Sequence, residues 1–194
     1  IVVFFNQNFK KFVQMNTIVF IVISILWVVQ RLIFPTSEFF LIIWGEVQYM
    51  LTPESGGPLD VIFSFFYHTL IMPEFNVIEN TNNLNWPRMV TQTTKIGSGS
   101  VWGLLSAGIW TILIVTGIWS LLSSKKNQKF RLVLGLTIVG QICLHLIYGE
   151  ETFLYSLHFL PLLILLASLG ALGKFRFLIL VLAASLVFTT VMNN

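Results

Sequence analysis

Charge is what this sequence has least of. Only 10% of its 194 residues are charged and 56% are hydrophobic, whereas soluble domains carry about 25% charged residues, so water cannot be the main solvent of such a surface. Cysteine is reduced to Cys143, inside an apolar run, which excludes a disulfide framework and the paired spacing of a zinc site. A cation-rich nucleic-acid face is missing as well: the net charge is +3, but the 11 Lys and Arg residues fall in small groups between apolar runs. That pattern sets membrane topology, and no nucleic-acid partner is expected. Nor does an initiator Met stand first. Ile1 does, which implies a chain that is processed, trimmed or part of something longer.

What is present is hydrocarbon in helix-length runs. A bilayer core takes about 20 apolar residues per helix, and five stretches satisfy this: 15–34, 101–122, 130–148, 153–172 and 177–192. The fold class expected is therefore an all-α membrane protein of about five transmembrane helices, read as a single polytopic domain over 1–194, with membrane lipids as its first partner. Between the first two spans lies one long loop, 35–100. It carries Glu38, Glu46, Glu54, Asp60, Glu74 and Glu79 against only Arg88 and Lys95. Within it, 38–51 and 59–72 are too short to cross and read as amphipathic interfacial helices. The remainder, 74–100, reads as an irregular loop able to cover a cavity.

Cationic connectors fix the orientation. Lys10 and Lys11, then Lys125, Lys126, Lys129 and Arg131, then Lys174 and Arg176 alternate with the acidic loop and with Glu150–Glu151, so the bias predicts the N-terminus inside and the C-terminus outside. Arg31, near a helix end, is expected to snorkel as an anchor. Trp102 and Trp119 suit opposite interfaces, and Gly103, Ala107 and Gly108 suit close helix approach.

Chemistry concentrates around the turn 149–152, where two glutamates, costly to bury, are expected in water or at its edge. His145 lies about one turn before it and His158 about one turn after, a pair that could ligate haem iron or copper; one imidazole per helix is a minimal set, and no metal or cofactor is expected. Pro161 leaves the Leu157 carbonyl without its helical donor, and such a break beside a histidine suits a cavity wall. In the loop, Leu59, Ile62, Phe63, Phe66 and Leu70 recur at helical spacing, leaving Asp60, Ser64 and His68 four apart on another face. These are not a hydrolase triad, because a row along one helix does not converge; they read as the polar side of an amphipathic helix.

The run Phe153-Leu154-Tyr155-Ser156-Leu157-His158-Phe159-Leu160-Pro161-Leu162-Leu163 resembles the His-Tyr/Phe-Leu-Pro segment in late helices of integral-membrane GT-C glycosyltransferases, the group that includes protein mannosyltransferase-like enzymes. The resemblance implies transfer of a sugar from a polyprenyl-phosphate carrier on the outer face of a membrane, in a multi-pass protein of the bacterial inner membrane. Tyr155 and His158, with Glu150 and Glu151 beside them, would line the substrate cavity, and Arg88, Lys95 or Arg31 would meet phosphate. Those enzymes keep a catalytic acid early in the first outer loop. Glu38 and Glu46 stand there without an Asp-Glu pair, so the catalytic residue is expected outside this chain. The alternative is a non-catalytic subunit of a larger membrane complex, to which the 18 Phe, the 6 Trp and the small-residue helix faces equally suit the chain. A channel or transporter is disfavoured, since the spans lack buried charge and inverted repeats.

Overall fold

A computed structural model of the chain describes residues 9–35, 56–78, 87–149 and 151–194. The expected helix over 38–51, and with it Glu38, Glu46 and Glu54, lies outside the described residues, as do Glu79 and Glu150. Contacts divide the chain into two units, Ile1–Gln48 and Tyr49–Asn194.

The first unit contains α1, Phe9–Ile33. Its side chains from Val13 onward are exposed or half-buried, with Phe20 and Leu32 among the most exposed, as suits a helix whose solvent is hydrocarbon. The hydroxyls of Thr17 and Ser24 are satisfied by the carbonyls of Val13 and Phe20 one turn back. At the far end Arg31 donates to the Pro35 carbonyl at 2.6 Å, so the expected anchor also closes the helix end.

The second unit is built on four helices, α3 (Val101–Ser123), α4 (Gln128–Tyr148), α5 (Ser156–Ser168, with Pro161 inside) and α6 (Arg176–Asn193). With a 3₁₀ turn on either side of α5, all four, like α1, are long and apolar enough to cross a membrane. The protein is an all-α membrane protein, with five such helices among the described residues. The first of them runs Val13–Ile33, and the last four begin and end within two residues of the runs read from the sequence.

Helix α3 is the hub. It packs against α5 and α6, and Trp110, Leu113, Phe159, Leu163, Leu166 and Leu186 form the centre of the core. Two glycines permit the closest approaches. Gly97, at φ 62°, meets the backbone of Gly103, and Gly117 meets the backbone of Leu166 and Ala167. The expected face of Gly103, Ala107 and Gly108 is therefore only partly used: a Cβ on Gly108 would meet nothing within 4 Å, and Gly103 receives a turn instead of a helix. Ser106 donates to Thr189 at 2.9 Å across α3 and α6. Trp110 is buried and donates to the Phe66 carbonyl at 2.6 Å, while Trp102 and Trp119 stand exposed.

Before α3, the loop is more regular than its composition predicts. Helix α2 (Pro58–Phe63) starts at Gly57, whose N–H is accepted by Asp60 at 2.8 Å, and runs directly into a π turn, Ser64–His68. Strands β1 (Asn76–Ile78) and β2 (Arg88–Val90) pair antiparallel with Val77 opposite Met89. A 3₁₀ turn, Ile96–Gly99, then leads to Ser100, which caps α3 by accepting from the Gly103 N–H at 2.8 Å.

Connections segregate to two ends. Asn194 accepts from the Met72 N–H at 2.9 Å, and Ser100 donates to Asn193, so the segments around Met72, Ser100 and Asn193 share one end. At the other, the Arg131 guanidinium donates to the Ser120 carbonyl, tying the start of α4 to the end of α3.

Candidate functional site under the loop

Helix α4 stops at Tyr148, and the Gly149 N–H caps it by returning to the His145 carbonyl at 2.7 Å. The chain then makes a 3₁₀ turn, Thr152–Tyr155, into α5. The β ribbon delivers Thr91 and Gln92 onto this turn, and the two pairs answer each other. Glu151 Oε2 accepts from the Thr91 backbone N–H at 3.1 Å and from its hydroxyl at 2.7 Å. Gln92 Oε1 accepts from the Thr152 N–H at 3.1 Å and from its hydroxyl at 2.8 Å. All four residues are buried.

This corrects the expectation that Glu151 stands in water: it is 8% exposed. A carboxylate is tolerated there because N–H and O–H donors replace its hydration. The other oxygen, Oε1, is buried without a hydrogen-bond partner among the described residues.

The expected amphipathic face over α2 and the π turn is only partly kept: Ile62, Phe66 and Leu70 are half-buried, and Phe66 and Leu70 pack on the core. Leu59 and Phe63 are exposed, whereas Ser64 and His68 are 0% and 1% exposed. The π turn inserts a residue that breaks the even four-residue row, and apolar Val61 and Phe65 share the buried side with Ser64 and His68. Asp60 is a helix cap, not a member of a solvated row. Among the described residues, Ser64 Oγ and both ring nitrogens of His68 have no hydrogen-bond partner. Burial lowers the pKa of His68 from 6.5 to about 4, so the ring is neutral. Since the π turn packs against the Thr152–Tyr155 turn, these unsatisfied groups belong to the same end of the molecule as Glu151.

No family model, curated protein or solved structure matches this chain.

Of the residues expected to bind substrate, Tyr155 and His158 are exposed, and their rings stack at 6.3 Å. Tyr155 also meets His145 edge-on at 6.0 Å. The two imidazoles thus flank one phenol ring, but differ in setting. His145 is buried, its Nδ1 lies 2.8 Å from the Gln141 carbonyl and must carry the proton there, and it packs on Phe159, which in turn stacks on Phe65 at 4.0 Å. Among the described residues no three His, Cys, Asp or Glu side chains group as metal ligands. The backbone of Arg88 pairs with Ile78 in the ribbon, three residues before Thr91.

Sequence reasoning missed Thr91, Gln92 and Thr152. They carry no period and no motif, and each gains meaning only from a partner distant in the chain. Replacing Glu151 by Leu should strand both Thr91 donors and lower stability by about 2–4 kcal/mol, while Glu151→Gln, which keeps an acceptor, should lose about 1; thermal unfolding in detergent micelles separates the two.

Proposed function

We propose that this protein is, or forms part of, a membrane-embedded glycosyltransferase of the GT-C kind, moving a sugar from a polyprenyl-phosphate carrier at the outer face of a bacterial inner membrane. The observation that supports it is the juxtaposition of a half-satisfied buried carboxylate, Glu151, with the exposed Tyr155–His158 pair at one end of the helices. Aromatic faces suit a sugar ring, and the free oxygen of Glu151 suits a sugar or acceptor hydroxyl once the Thr91–Gln92 segment lifts. The carrier phosphate would meet Arg88 or Lys95 from the same loop. In this reading the Glu151 end lies outside and the cation-rich connectors inside, in keeping with the charge bias.

One observation favours the alternative of a non-catalytic subunit in a larger complex: Thr91, Gln92, Glu151 and Thr152 bond to one another, as a structural lock would. Transfer of labelled sugar from polyprenyl phosphate by membranes containing the protein decides between them. His158→Ala with Tyr155→Ala should reduce transfer by at least about tenfold at unchanged protein level. Unchanged transfer by the stably inserted variant would remove both residues from the site, and no transfer by the parent protein, with recovery in a stoichiometric larger assembly, would establish the subunit.

A further inference from the structure

At the end opposite Glu151 a cavity of about 400 Å³ opens between α3, the start of α4 and the connection from α5 to α6. Arg131 and Lys174 line it together with Ser120, Ser123 and Ser124, and among the described residues no acidic side chain does. None is near in sequence either, since Asp and Glu are absent from 80–149 and from 152–194. Helices α3 and α5 end here while α4 and α6 begin here, so their dipoles largely cancel and the positive field comes from side chains.

Arg131 is the decisive group. It is 6% exposed, yet among the described residues only Nη1 has a protein acceptor, the Ser120 carbonyl. A guanidinium offers five N–H donors, so most of its fork is left for the cavity. Burying an arginine with so few acceptors is costly unless an anion completes the set. The rim identifies the source of that anion. Trp119, Leu172 and Phe175 line the same cavity and are each more than 70% exposed, forming an apolar path from the cations onto surface that hydrocarbon covers.

We propose that this cavity binds the phosphate headgroup of an anionic phospholipid, with Arg131 and Lys174 on the phosphate, the serine hydroxyls beside it, and the acyl chains leaving past Trp119 and Phe175. The lipid clasps the ends of α3, α4 and α6 together. It is independent of any sugar transfer at the other end.

Native mass spectrometry of the full chain, loaded from vesicles of phosphatidylglycerol or phosphatidylcholine, tests this. One phosphatidylglycerol should be retained in preference to phosphatidylcholine. Lys174→Gln, at an exposed position, should weaken retention about fivefold, and Arg131→Gln about tenfold or more. Lys129→Gln, which does not line the cavity, should change retention less than twofold. Equal losses from Lys129→Gln and Lys174→Gln would mean a diffuse basic surface and overturn the site. Displacement of the lipid by millimolar inorganic phosphate would assign the cavity to free phosphate and overturn the lipid.

Discussion

Acidification from neutrality to about pH 4 is expected to lower the stability of this protein by about 3 kcal/mol through His68 alone, and His68→Phe is expected to remove that part of the response. The folded ring titrates at about 4 because burial penalises its charged form, whereas the unfolded ring titrates near 6.5. Between those values the unfolded chain binds more protons. Stability is therefore full above about 6.5, falls as pH falls through the window, and is flat again below about 4. Both ring nitrogens lack partners among the described residues, so phenylalanine forfeits no hydrogen bond to them and spares the desolvation of two polar atoms. Unfolding in detergent across pH 4–8 gives the slope for each form. An unchanged slope in His68→Phe would show that His68 is not the buried neutral group described.

The second large effect is steric. Gly117→Ala should destabilise the helix bundle by about 3 kcal/mol, because a methyl at this position meets the Leu166 carbonyl and presses on the Ala167 backbone, neither of which is a flexible chain end. Gly108→Ala, on the same helix, supplies the control. Nothing lies within 4 Å of its Cβ, and ordinary helix propensity predicts a gain of up to about 1 kcal/mol. Opposite signs for one substitution nine residues away on the same helix separate packing from propensity. Equal effects would mean that α3 and α5 do not meet at Gly117.

How legible these features are in the sequence follows from what solvent does to pattern. The five long helices are legible because crossing hydrocarbon demands a length of apolar run that little else produces, and the basic connectors between them mark where runs end. The face of α2 is not legible by the rule for soluble helices: Leu59 and Phe63 read as inward and Ser64 and His68 as outward, and the structure has each reversed. Arg131 reads as one more loop cation, although a position three residues into α4 puts its side chain back toward Ser120. Gly117 carries the same kind of signal as Gly103, a gap in a helix of large side chains, but nothing in the run says which backbone fills it. Tyr155 and His158 are legible as a polar pair, one helical turn apart at the mouth of an apolar run. Their neighbours Thr91 and Gln92 are not, since ordinary polar residues announce neither burial nor partner.

The two halves of the Thr91–Glu151 lock are sixty residues apart in the chain, with α3 and α4 between them. During synthesis Thr91 emerges long before its acceptor exists, so the ribbon has to wait, unfastened, while two apolar helices enter the bilayer. Fastening is then a late step, which cannot come before α4 is complete and Glu151 has followed it.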